Sequence, residues 1–101
     1  MIDVRWHRAA RAEAAAAAAF YRSKRPGLVE HLLQNLEEAL RRLQRRPRAY
    51  PRVEANVHKC RVPHFPYGIL YRVREAEFEE PRIEILALMH LRRPPADGKS
   101  D

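Results

Sequence analysis

Two interruptions divide this chain into regions that cannot belong to one secondary-structure element: Lys24-Arg25-Pro26-Gly27 and Pro47. Proline lacks a backbone N–H and its ring collides with the preceding helical turn, while glycine accepts left-handed dihedrals, so each site ends a helix. Between them Leu28, Leu32, Leu33, Leu36, Ala39, Leu40 and Leu43 recur on one helical stripe, and Glu30, Glu37, Glu38, Arg41 and Arg42 fill the rest. This is the pattern of an amphipathic helix. Arg45 and Arg46 stand in its last turn, where cations meet the negative end of the helix dipole. From Arg8 to Ser23 the residues are strong helix formers, and Ala9, Ala12, Ala16, Ala19 and Phe20 mark a stripe of mostly small residues. The alanine run Ala14 to Ala19 is simple in composition, yet its place in that helix makes it structural. The two segments therefore predict an antiparallel helical hairpin.

On either side the period changes to two. Ile2, Val4 and Trp6 alternate with Asp3 and Arg5, which predicts a short half-buried strand. After Pro51, Val57–Val62 predicts a strand with Cys60 and Val62 inward and Lys59 and Arg61 outward. In Tyr67–Val73, Tyr67, Ile69, Tyr71 and Val73 share one face. Ile83–Leu91 is apolar on both faces, as in a central strand. Arg74 to Arg82, with Pro81, reads as the turn between the last two strands. The expected fold is α+β, ordered β-α-α-β-β-β: a small antiparallel twisted sheet with the helical hairpin packed on one face. Residues 1–93 are expected to form one domain, and the Pro-, Gly- and polar-rich stretch 94–101 is expected to fray as a tail.

Composition narrows the class. A chain of 101 residues buries about two thirds of its unfolded surface, so its core is modest. With 46% hydrophobic and 33% charged residues it is too apolar for a disordered chain and too interrupted for a membrane one. Met1 to Trp6 carries no apolar run of secretory type, and the lone Cys60 permits neither an intramolecular disulfide nor a Cys-based zinc site. A cytoplasmic setting is expected. The formal charge of +7 favours a polyanionic partner: nucleic acid, a ribosome or an acidic protein segment.

Several local sequences, in this order, resemble the RelE/ParE toxins of bacterial type II toxin–antitoxin systems. They are Arg25-Pro26-Gly27-Leu28, Tyr50-Pro51-Arg52-Val53 after Pro47, Phe65-Pro66-Tyr67-Gly68-Ile69-Leu70-Tyr71-Arg72-Val73, and Leu86-Ala87-Leu88-Met89-His90-Leu91-Arg92-Arg93-Pro94. The resemblance spans nearly the whole chain. It implies growth inhibition, a cognate antitoxin that wraps the toxin in a hetero-oligomer, and one of two targets. One branch cleaves messenger RNA on the ribosome; the other inhibits DNA gyrase without catalysis. The Phe65 to Val73 stretch and the Arg92-Arg93-Pro94 ending are closer to the ParE-type branch. A member that has lost toxicity and persists as an antitoxin-binding module is the third possibility.

Cleavage through a 2′-hydroxyl needs a base, an acid and cations on the phosphate, all converging on one face. Simple alternation lets Arg61, Arg72 and His90 share the helix-free face, with Lys59, Arg92 and Arg93 completing a site for an anionic partner. Arg72 has an equally simple alternative, a cross-strand pair with Glu84, and His90 one as a satisfied histidine at a strand end. The ribonuclease reading also lacks a lysine cluster on the second helix and a tyrosine after His90. His58 and His64 have no metal-ligand spacing with a carboxylate, so neither metal nor cofactor is expected. Tyr67, Tyr71 and Trp6 read as core residues, and Cys60 as a small buried filler.

Overall fold

The computed structural model describes residues 2–92. Its elements are β1 (Asp3–Trp6), α1 (Arg8–Arg22), α2 (Leu28–Arg45), β2 (Arg52–Glu54), β3 (Val57–Arg61), β4 (Tyr67–Ala76) and β5 (Glu79–His90). The five strands make one open sheet in the order β1-β5-β4-β3-β2. The α+β architecture and the order β-α-α-β-β-β stand, with the short β2 as an additional strand. The stretch 94–101, expected to fray, lies outside the described residues.

The sheet is mixed rather than wholly antiparallel, because β1 runs parallel to β5. Parity explains the direction. Two helices return the chain to the end of the sheet where β1 finished, so β2 runs against β1. Three further reversals through β3 and β4 then make β5 run with it. The corner between the helices works as its residues require: Gly27 has φ +90° at the start of α2, in the left-handed region that L side chains resist. No atom lies within 4 Å of where its Cβ would be, so conformation rather than space demands glycine here.

The core lies between the hairpin and one sheet face. Leu32, Leu36, Ala39 and Leu43 of α2 pack with Cys60, Ile69, Tyr71, Ile83, Ile85 and Leu88. The stripe read for α2 holds except at Leu33, which is 48% exposed. On α1 the phase differs from expectation: Ala10 and Ala17 are buried and Ala14 and Tyr21 pack against the core, while Phe20 is 40% exposed. A helix with alanine on every side has no apolar pattern to fix its rotation. The larger Tyr21, whose ring meets Phe65 and Tyr67 edge-on, fixes it instead.

Two bulges shape β5. The pairs Leu70↔Ala87 and Tyr71↔Ile85 leave Leu86 as an extra residue, so Ile83 and Ile85 on one side of it, and Leu88 on the other, all face the helices. The apolar run that reads as a two-faced central strand is thus largely a register shift. Between Arg74 and Ala76 a second irregularity sets Glu80 and Pro81 opposite Glu75. Pro81, which cannot donate to the ladder, sits in that bulge. The charged segment expected to be a turn is therefore mostly hairpin, narrowing to Glu77 and Phe78 at its tip.

Buried polar groups are satisfied by neighbours from other elements. Tyr71, fully buried, donates its hydroxyl to the Pro47 carbonyl at 2.6 Å, and burial pushes that phenol well above its usual range. Beyond the last β1 pair, the Leu88 N–H donates at 2.8 Å to Glu13 of α1, which substitutes for the missing strand. A hydrogen bond to a charged acceptor is worth about 1.5–3 kcal/mol, and less where partly exposed. Glu13→Ala is therefore expected to lower unfolding stability by about 1–2 kcal/mol, measured by urea denaturation, with Glu13→Gln recovering most of the loss.

Candidate functional site

The sheet face away from the helices is built from alternate residues of four strands. Register places Arg5 beside Glu84, Asp3 beside Arg82, Arg72 and Arg74 on β4, and Lys59 and Arg61 opposite Leu70 and Gly68. Between the cations the floor is Gly68, Leu70, Ala87 and Met89. A Cβ on Gly68 would meet the Lys59 stem and Leu91 at 3.2 Å, so the bare backbone lets those chains lie flat.

One carboxylate organises this face. Glu84, only 9% exposed at its side chain, accepts from Arg72 Nε at 2.9 Å and has His7 at 3.5 Å, Arg74 at 3.6 Å and Arg82 at 3.8 Å. Burial pulls its acidity toward the neutral form. The Arg72 hydrogen bond and the charges of Arg74, Arg72 and His7 outweigh this and hold the carboxyl below its ordinary range. The cross-strand alternative for Arg72 is the one the structure adopts.

Arg61, Arg72 and His90 are not brought together. His90 pairs with Tyr67, ring centroids 5.1 Å apart, on the helix-covered side. Uniform alternation from Glu84 would put His90 on the open face; the extra Leu86 reverses it. Arg61 and Arg72 do share the open face, but Arg61 sits opposite Gly68, four residues from Arg72, roughly 13 Å along the strand. His90 Nδ1 instead accepts from the Arg92 backbone N–H at 3.1 Å.

At the end of the open face, Arg61 and Arg92 line a cavity of about 460 Å³ with Arg42, His64 and the apolar Phe65 and Leu91. His64 holds a left-handed φ of +67° there and stacks near His31 of α2, centroids 6.1 Å apart. Lys59 lies on the open face, and Arg93 lies outside the described residues. The reading from sequence missed Arg5, His7, Arg74 and Arg82, although Arg72/Arg74 and Arg82/Glu84 have the strand spacing that could have found them. Among the described residues no three His, Cys, Asp or Glu side chains converge as a metal site, and no helix is long and apolar enough to cross a membrane.

A second recess, of about 380 Å³, lies beside the hairpin and is lined by Trp6, Arg11, Ala14 and Leu36. It is apolar with one cation at its rim.

Because the folded Glu84 carboxyl titrates below its ordinary 4.5, its contribution is present at neutral pH and is lost as pH falls through and below that value. Glu84→Gln is expected to lower Tm at pH 7 and to flatten the acid-side decline, measured by thermal denaturation from about pH 7 to pH 3.

A search of curated proteins returns no match. Among solved structures, a chain of the chromosomal ParDE toxin–antitoxin system from P. aeruginosa has a similar fold, with a TM-score of 0.71 at 22% identity, covering 87% of this chain and 94% of that one. The family model of the ParE toxin of the type II toxin–antitoxin system, parDE, matches residues 4–95. A match over nine tenths of the sequence, on the helical hairpin and open sheet described above, shows that this chain belongs to the ParE toxin family of type II toxin–antitoxin systems.

Proposed function

We propose that this toxin arrests bacterial growth by binding DNA gyrase, and that a cognate antitoxin neutralises it. The observation that carries the reading, beside the family match, is the separation of the acid–base candidates: His90 stands on the opposite sheet face from Arg61 and Arg72, and Arg72 is engaged by Glu84. A ribonuclease needs those groups around one phosphate; a binding toxin does not.

Two features suit the antitoxin. The recess formed by Trp6, Ala14 and Leu36, with Arg11 at its rim, fits the apolar face of an acidic amphipathic segment. The sheet is open, with β1 and the three-residue β2 at its edges, so an extended segment can add a strand. A cytoplasmic toxin–antitoxin hetero-oligomer follows from the same reading.

The purified chain is expected to abolish supercoiling by gyrase in vitro while leaving translated messenger RNA intact. His90→Ala should remain fully toxic when expressed. Unchanged supercoiling, or message cleavage that disappears in His90→Ala, refutes the proposal, and expression without growth arrest points to an antitoxin-binding module that has lost toxicity.

A further inference from the structure

Short of the acidic hairpin tip, the open sheet face carries Arg5, Lys59, Arg61, Arg72, Arg74 and Arg82 against two carboxylates, Asp3 and Glu84; Glu79, opposite Ala76, lies on the same face beyond them. This part of the face therefore carries a net charge of +4. Adjacent strands stand about 4.8 Å apart, so the cations cover about 14 Å across the sheet and roughly 20 Å along it. Glu84 gathers Arg72, Arg74, Arg82 and His7 within 4 Å but can neutralise only one of them. The remaining guanidinium groups are held in place with charge to spare, arranged for a ligand that carries several anions.

Which polyanion fits follows from what lies between the cations. Proteins that hold single-stranded nucleic acid stack bases on aromatic rings. Here the floor is Gly68, Leu70, Ala87 and Met89, while Tyr67, Tyr71 and Trp6 belong to the opposite face. Phe78, 91% exposed, stands at the hairpin tip among Glu77, Glu79 and Glu80, where phosphates are repelled. A duplex presents its phosphates outermost and needs only positioned cations.

We infer that the open face of the sheet binds the sugar-phosphate backbone of duplex DNA without reading its bases. The acidic hairpin tip bounds the footprint at one end. This deepens the gyrase reading, since gyrase acts on duplex DNA: the toxin would engage the DNA as well as the enzyme.

The test needs no gyrase. Fluorescence anisotropy of a short labelled duplex of mixed sequence, titrated with the purified chain over a range of salt, should give a Kd of about 10⁻⁴–10⁻⁶ M near physiological salt. The triple variant Arg61→Ala, Arg74→Ala, Arg82→Ala should flatten the slope of log K against log salt by about 2.7, since each phosphate contact contributes about 0.9. All three side chains are surface-exposed or half-exposed, and circular dichroism verifies that the variant folds. A control triple of equal charge change, Arg25→Ala, Arg45→Ala, Arg46→Ala on the helical hairpin, should leave the slope as it is. Equal loss in both triples would mean that net charge alone drives binding and would overturn the inference, as would tighter binding of a single-stranded RNA of equal length. DNA binding without inhibition of supercoiling overturns the gyrase reading alone; inhibition without DNA binding overturns this one alone.

Discussion

A single extra residue in β5 decides what each face of this molecule does. With Leu86 bulged out, Ile83 and Ile85 join Leu88 beneath the helices, and Glu84 is left on the open side opposite Arg72. Were Leu86 held in the regular ladder instead, the two halves of the strand would present their apolar residues to opposite faces, because the side-chain period of a strand is two. The core would lose either its Ile83–Ile85 half or its Leu88 half. The bulge thus joins core packing and surface chemistry in one device, and neither can be altered without disturbing the other.

From that register follows the electrostatic character of the two faces. On the helix side, several polar groups have partners from other elements: Tyr71 on Pro47, His58 Nδ1 within 2.8 Å of the Tyr50 carbonyl, and the Leu88 N–H on Glu13. On the open side, short of the hairpin tip, a half-dozen cations share two carboxylates, and Glu84 carries most of the organisation. Like charges brought this close repel, and a low-lying carboxyl among them offsets part of that repulsion. Farther along the hairpin, Arg48 pairs with Glu75 across elements, so the acidic tip is tied to the body near its base.

Much of this was legible in the residues. Pro26-Gly27 and Pro47 bracket α2 as their chemistry demands, and the alternation of Tyr67, Ile69 and Tyr71 places β4 with its correct face inward. What was hidden has physical causes. The alanines of α1 carry no rotational information, so its buried face had to be set by Tyr21 and by Glu13 reaching β5. Ile85-Leu86-Ala87-Leu88 is apolar in either register, so the bulge leaves no mark in the pattern, and His90 is misplaced by alternation for that reason alone. The charged run 74–82 resembles a loop in composition, which concealed Arg74 and Arg82 as members of the open-face array. The family, by contrast, was recognisable from ordered local sequences, which do not depend on register.

The parallel pairing of β1 with β5 also governs how the molecule comes into being. Asp3 meets Arg82, and the intervening 78 positions must all be made before the first strand has a partner. Contacts this remote in sequence are slow to close, since the loop entropy is lost before any pairing compensates for it. During synthesis the N-terminal segment emerges first and must wait for its partner strand. The finished sheet, and with it any surface that spans β1 and β5, exists only once β5 has been made.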